Sequence, residues 1–308
     1  PRYEKDHAEA QLGVARMAID TGKYETAEKF IKKLMAADPP PSPRQLAMAY
    51  LASAIVLDEQ GKSAEADKEQ ARAFDTDSRN AELYILKARR LTRAGKSEDA
   101  IASIREAIKR DPKRANFYAE LAKALLARPG GAKEAVESLN KAIASMGESP
   151  KLLVLRGNAQ RADKDLDGAR ATFEKAMGLA KGKLPEALLA LAEIARDRKE
   201  YPKALELFEK AKNESLSSAK NQAYALTEMG KIVEEQGDKK GALDRFKAAA
   251  GADASFAPPL YLMAKLFVTS KDKEQRSTAY QLLEKYLELD PKGEYAEDAK
   301  RLLEERKK

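Results

Sequence analysis

A pattern of small and large apolar residues recurs along this chain at intervals of 34 to 39 residues. In each copy a marker alanine is followed four residues later by a residue that is nearly always large and apolar, as Ala100 is followed by Ile104. Three residues further stands another apolar residue, so all three lie on one side of an α-helix. A second stripe, such as Tyr84 and Ala88, precedes each marker and predicts another helix. The markers are Ala27, Ala66, Ala100, Ala135, Ala169, Ala204, Ala242 and Ala279.

The residues between the two helices of a copy predict a sharp turn. Gly95 stands five residues before its marker alanine, and glycine suits a tight reversal of the chain. Asp111-Pro112 ends a second helix because proline cannot continue it. Two segments depart from the period. "DPPPSPRQ" (38–45) lengthens the first junction, and "TSKDKEQRST" (269–278) is expected to lengthen the turn of the last copy.

This pattern resembles the tetratricopeptide repeat family. The resemblance implies an all-α fold, a right-handed superhelical α-solenoid of antiparallel helix pairs. We expect a single array over residues 1–294 and a C-terminal capping helix over residues 295–308, with Tyr295, Ala299, Leu302 and Leu303 facing inward. Gln11 departs from the family, which has a large aromatic residue at the fourth position of a copy. The eight copies begin near Ala8, Ala47, Ala81, Ala115, Pro150, Pro185, Ala223 and Ala257.

Composition argues against several classes of protein. Cysteine is absent and His7 is the only histidine, so thiolate or imidazole clusters for metal binding or catalysis cannot be built. No apolar run reaches membrane-spanning length. The net charge of +7, from 57 basic and 50 acidic residues, favours anionic partners weakly and does not indicate a nucleic-acid binder. We predict no enzyme activity, no cofactor, no metal and no small-molecule substrate.

One segment, "DKDLDGARATFE" (163–174), fits the calcium-loop pattern of EF-hand proteins. Its acidic ligand positions are Asp163, Asp165, Asp167 and Glu174. In the repeat, however, this segment contains the turn before the marker Ala169, and the residues after the turn are expected to be helical. Helical carbonyls are committed to backbone bonds and cannot wrap around an ion. We interpret the aspartates as helix caps instead.

In the tetratricopeptide family the first helices of successive copies line a concave groove, through positions two, five, nine and twelve to thirteen of each copy. The resemblance implies a candidate groove that is apolar at the start, basic in copies three to five, and mixed and acidic in copy seven, where Glu228, Glu234 and Glu235 stand around Lys231. A basic groove favours an acidic peptide segment or the acidic face of a protein. The alternative is that these are ordinary solvated helix faces. The candidate residues are Met48, Leu51, Ile55, Arg89, Arg93, Lys123, Lys151 and Arg161.

We interpret the chain as a non-enzymatic scaffold or adaptor that binds a partner protein in this groove. The chain opens on Pro1 and its first copy has no cap, so we expect it to be the adaptor part of a larger assembly. Its alanine- and lysine-rich repeats without tryptophan look bacterial, and we expect that assembly in the bacterial periplasm or envelope or in the cytoplasm. A membrane-associated complex and self-association are compatible with this interpretation. The alternative is an RNA-binding helical-repeat protein, whose code needs polar residues at position five. That position is mostly apolar, as at Leu12, Leu51 and Leu189, so nucleic acid is not the expected partner.

Overall fold

The computed structural model describes residues 2–215 and 218–306, with side chains from Ala8 onward. Within these residues seventeen helices form and no strand does, which confirms the expected all-α class. None of the described helices is both long enough and apolar enough to cross a membrane. The side chain of His7, and Lys307 and Lys308 of the predicted capping helix, lie outside the described residues.

The chain forms two compact units, Pro1–Glu148 (unit 1) and Ser149–Lys308 (unit 2). Each contains four consecutive pairs of helices, and the two helices of a pair pack together. The expected single array over residues 1–294 stays a prediction. The helices of unit 1 are α1 (Arg2–Asp20), α2 (Tyr24–Met35), α3 (Pro43–Glu59), α4 (Ser63–Asp77), α5 (Ala81–Arg93), α6 (Ser97–Arg110), α7 (Ala115–Leu126) and α8 (Ala132–Met146). Those of unit 2 are α9 (Pro150–Ala162), α10 (Leu166–Leu179), α11 (Pro185–Asp197), α12 (Tyr201–Glu214), α13 (Ala219–Glu235), α14 (Lys239–Ala252), α15 (Pro258–Phe267), α16 (Lys273–Leu289) and α17 (Ala296–Glu305).

Within a pair, a small residue of the first helix faces a large buried residue of the second. A Cβ atom on Gly230 would lie 2.4 Å from Cε1 of Phe246, and one on Gly157 would lie 2.6 Å from Cε1 of Phe173. Both rings are fully buried, so the glycines allow the helices to approach. At the equivalent positions of their sequences, other copies carry a buried alanine and a buried residue of varied size. These pairs include Ala88 with Ile104, Ala122 with Leu139 and Ala192 with Phe208.

The residue five positions before the marker alanine has a left-handed backbone conformation in seven of the eight copies. It is glycine in five of them, as at Gly95. In the other two it is lysine, with φ of 65° at Lys164 and 59° at Lys199. A side chain in this conformation costs roughly 1–2 kcal/mol, so these two turns are strained. The packing of the two helices therefore sets the left-handed conformation of this turn, and the conformation is kept where lysine replaces glycine.

Two connections show how local capping sets the helix starts. α3 begins at Pro43, four residues before its expected start. Ser42 and Gln45 form a capping box there, in which each side chain accepts a hydrogen bond from the other's backbone N–H. In the last copy the turn is longer, as expected, with five residues between α15 and α16 against three between α5 and α6, and the rest of the insertion extends α16, which begins at Lys273. The Asp272 side chain caps this helix, accepting from the Glu274 N–H at 2.8 Å, and the residues that follow are good helix formers.

The last helix, α17, packs against α16. Ala299 is fully buried, and Tyr295, Leu302 and Leu303 pack against the same apolar cluster. The residues expected to face inward therefore do so, and the charged residues of this helix are exposed apart from Asp298, which accepts a hydrogen bond from the buried Tyr261. Whether α17 acts as the cap of an array stays a prediction.

We expect Gly230→Ala to lower the free energy of unfolding by about 1–3 kcal/mol, because the new methyl group meets the Phe246 ring in a packed core. Combined with Phe246→Leu, the loss should be smaller than the sum of the two separate losses. Urea unfolding of the four proteins measures this coupling. Gly251→Ala is the control, since a Cβ there meets nothing within 4 Å. Strictly additive losses would contradict the steric explanation.

We expect Lys199→Gly to raise the free energy of unfolding by about 1 kcal/mol, because glycine relieves the left-handed strain. Lys203→Gly, inside α12, should lower it by about 1 kcal/mol, since glycine weakens a helix interior. Thermal unfolding of the two variants tests the difference. A loss of stability in both would show that the turn carries no strain.

Candidate protein-binding faces

The first helices of unit 2 lie side by side, with α9 beside α11 and α11 beside α13. Polar side chains bridge these neighbours, and most of them stand at the positions that the resemblance assigns to a groove. We call this surface the charged face. It consists of Arg161 on α9, Glu193 and Arg196 on α11, and Tyr224, Glu228 and Lys231 on α13.

Two carboxylates hold this face together. Glu193 forms an ion pair with Arg161 of α9 and accepts a hydrogen bond of 2.5 Å from the Tyr224 hydroxyl of α13, so it joins three helices. Glu228 pairs with Arg196 of the preceding first helix, and at 2.8 Å with the Nζ atom of Lys231 on its own helix. Each carboxylate thus has two partners, as a buried charge requires.

The acids lie beneath the cations. The side chains of Glu193 and Glu228 are 12% and 3% exposed, whereas those of Arg161, Arg196 and Lys231 are 34%, 27% and 26% exposed. A molecule that touches this face therefore meets one cation from each of three successive first helices. Because each cation is held by a carboxylate below it, its position is set before a partner arrives.

The electrostatics keep these groups in fixed charge states. Burial opposes the charge of Arg196, but its hydrogen bond to Asp197 and the charge of Glu228 outweigh burial and raise its pKa. Lys231 behaves in the same way: burial lowers its pKa, and Glu228 raises it more. The pKa of Tyr224 is raised, first by burial and then by the charge of Glu193. At neutral pH both cations are charged and the tyrosine hydroxyl keeps its proton.

The apolar groove candidates in unit 1 are not on the surface. Met48, Leu51 and Ile55 of α3 are all buried in the core of this unit. They lie on the side of α3 where α1 and α5 pack. These residues therefore hold helices together and present no surface to a partner in this conformation.

The basic candidates Arg89 and Arg93 are already engaged. Arg89 lies 2.6 Å from the Glu120 carboxylate of α7 and 3.8 Å from that of Asp20 at the end of α1. Arg93 donates a hydrogen bond of 3.3 Å to the Ile19 carbonyl of α1, and its Nε atom lies 3.8 Å from the Glu59 carboxylate. The structure thus brings these two arginines together with α1 and with acids of neighbouring copies.

The remaining candidates lie in different places. Lys123 is exposed on α7 of unit 1. Lys151 is exposed at the start of α9 in unit 2, and Arg161 belongs to the charged face. Copy six supplies Glu193 and Arg196, which our sequence reasoning missed although they stand at positions nine and twelve of that copy. Applying the groove positions to copy six as well would have identified both residues. Glu228 and Lys231 belong to the mixed and acidic part of the groove that was expected in copy seven.

The aspartates of the calcium-like segment are caps and ion-pair partners. Asp165 accepts a hydrogen bond of 2.9 Å from the Gly168 N–H at the start of α10, which confirms the capping interpretation for this aspartate. Asp167 pairs with Arg198, and Glu174 with Arg170 at 3.2 Å. Among the residues described, no group of three or more histidine, cysteine, aspartate or glutamate side chains is placed to hold a metal ion.

We expect Glu228→Gln to lower the free energy of unfolding by about 3 kcal/mol, because it leaves Arg196 and Lys231 facing each other without a buried counter-charge. Glu206→Gln is the matched control. It removes an exposed Glu–Lys pair of α12, and should cost less than about 0.5 kcal/mol. Urea unfolding measures both. Equal losses would mean that Glu228 contributes no more than a surface residue.

Comparison with known proteins agrees with this architecture. The family model for the tetratricopeptide repeat matches residues 85–151 and 154–219. No curated protein matches the chain. Among solved structures, yeast Tom70 has a TM-score of 0.69 at 16% identity, over 92% of this chain and 58% of that chain.

Two further structures share the fold. In the Cut9–Hcn1 hetero-tetramer of APC/C, a chain has a TM-score of 0.56 at 16% identity, over 91% of this chain and 52% of that chain. A tetratricopeptide repeat protein from Parabacteroides merdae has a TM-score of 0.55 at 17% identity, over 89% of this chain and 99% of that chain. This chain therefore spans only a little over half of the Cut9–Hcn1 and Tom70 chains. The family match over residues 85–151 and 154–219, the seventeen described helices and the repeated small and large residues agree, and the chain has the helical-repeat fold of tetratricopeptide-repeat proteins.

Proposed function

We propose that this chain is a non-enzymatic adaptor that holds an acidic segment of a partner protein against the charged face of unit 2. Proteins of this repeat generally act as scaffolds for protein–protein interaction. The observation that supports the proposal is the row of Arg161, Arg196 and Lys231, one cation from each of three successive first helices, over buried carboxylates.

The chemistry of these cations suits carboxylate partners. A guanidinium group has five N–H donors and an ammonium group three, so each keeps donors after pairing with the acid beneath it. Hydrogen bonds from a charged donor to a carboxylate are short and strong. Because the buried acids cancel much of the long-range field, attraction from a distance is weak, and recognition depends on contact. Such a face favours acidic side chains at defined spacings over a generally acidic surface.

The proposal has further parts. Lys123 and Lys151 are further candidate contacts on first helices. Composition supports membership of a larger bacterial assembly, and both self-association and attachment of that assembly to a membrane are compatible with the chain. The RNA-binding alternative stays open to experiment, and the test below includes it.

We expect a displayed library of random twelve-residue peptides, selected on the protein, to yield sequences with spaced Asp or Glu residues. Replacing these acids by Asn or Gln should weaken binding at least about tenfold, which corresponds to about 1.4 kcal/mol. Fluorescence anisotropy with the synthetic peptides measures the dissociation constants. Selected peptides without acids would overturn the proposal, as would retention of a single-stranded RNA oligonucleotide at physiological salt with no peptide bound.

Protein variants locate the site. Arg161→Gln with Lys231→Gln should weaken peptide binding at least about tenfold. Each carboxylate keeps one partner in this variant, Tyr224 for Glu193 and Arg196 for Glu228, so the fold is expected to persist. Far-UV circular dichroism checks that it does. Lys203→Gln with Lys210→Gln, two exposed lysines of α12, should leave binding unchanged. Equal binding by both variants would place the site elsewhere.

A further inference from the structure

Helix α1 covers the apolar side of α3 in unit 1. Leu12 and Ile19 of α1 are buried in the same core cluster as Leu51 and Ile55 of α3, and the two helices pack together. Ile55 stands at position nine of its copy. The residues at the same position in copies four and eight, Lys123 and Lys265, are exposed. The apolar side of α3 is thus a potential surface that α1 occupies.

α1 also reaches past α3 to α5. Arg16 of α1 lies 3.5 Å from the Glu82 carboxylate, and Asp20 lies 3.8 Å from Arg89. Arg93 donates a hydrogen bond to the Ile19 carbonyl near the C-terminal end of α1, where a cation is favourable. α1 therefore contacts this side of unit 1 as a bound helix would, through an apolar stripe and an acid at its end.

The attachment of α1 has identifiable weak points. Gln11 is only 4% exposed, and its Oε1 atom is buried without a hydrogen-bond partner. A buried carbonyl oxygen that accepts no hydrogen bond destabilises the packing around it. Arg16 and Asp20 are partly exposed, and ion pairs of that kind contribute little to stability. Met17 of the same helix is 64% exposed.

We propose that α1 is a displaceable cover over a helix-binding surface of unit 1. This surface consists of Met48, Leu51 and Ile55 of α3, with Arg89 and Arg93 of α5. The partner that fits it is an amphipathic helix with two apolar residues seven apart and an acid directly after the second, as in Leu12, Ile19 and Asp20 of α1. The proposal is independent of the charged face of unit 2, and its failure would leave that proposal unchanged.

Thiol labelling tests the opening of α1, since the chain has no cysteine of its own. We expect Ile55→Cys to react at least about ten times faster than Leu139→Cys, a buried position of α8 that α1 does not cover. Gln11→Leu removes the unpartnered amide and should slow the labelling of Ile55→Cys at least about fivefold, without changing that of Leu139→Cys. Equal rates at the two cysteines, or no effect of Gln11→Leu, would overturn the proposal.

A synthetic peptide of residues 8–21 tests the surface itself. It should bind the Ile19→Ala protein, whose own cover is weakened, more tightly than the wild type, and the Gln11→Leu protein least tightly. The peptide with Asp20→Asn should bind less tightly than the unchanged peptide, because it loses the charge that faces Arg89. Fluorescence anisotropy measures binding, and circular dichroism checks the fold of each variant. Failure to bind the Ile19→Ala protein while it remains folded would overturn the proposal, as would equal binding to all three proteins.

Discussion

The close approach of the two helices in a pair is the constraint on which the rest of this protein depends. At Gly157 and Gly230 there is no room for even a methyl group beside the ring of the second helix. This contact sets which side of each first helix is buried against its partner, because rotation would drive a larger side chain into the second helix. The sides of the first helix next to this contact are then set as well, and the charged face lies on one of them, since its cations stand one or four positions after the small residue of their helix.

Once first helices lie side by side, residues of one copy become neighbours of residues in the next. Arg196 forms a hydrogen bond with Glu228, 32 residues further along the chain, and Tyr224 with Glu193, 31 residues before it. In unit 1, Arg89 forms a hydrogen bond with Glu120 over 31 residues. These separations are a little shorter than the repeat of 34 to 39 residues, so the bonded residues stand at different positions of successive copies. Each of these bonds ties one copy to the next, which is the interaction that stabilises stacked repeats.

The features that depend on residues within a single copy were predicted correctly from the sequence. The helix pairs, the caps at Asp165 and the sharp turns all depend on residues within about thirty positions of each other. The insertion at 269–278 lengthens the turn as expected, but residues 273–278 join α16, because counting the repeat period took no account of their helix propensity. The contact between α1 and α5 could not be predicted. It depends on how strongly consecutive copies curve, and that is a sum of small packing angles that no local pattern reveals.

Chains of this kind face one physical problem on the inner side of their first helices, and the two units solve it differently. Unit 1 has Leu51 and Ile55 on this side. A row of exposed apolar side chains would be unfavourable in water and would promote aggregation. In this unit α1 covers them. Unit 2 carries Glu193 and Glu228, whose burial would be unfavourable alone, so cations of neighbouring helices lie over them. The first solution closes a surface until a helix moves, whereas the second leaves a rigid set of donors open to a partner at all times.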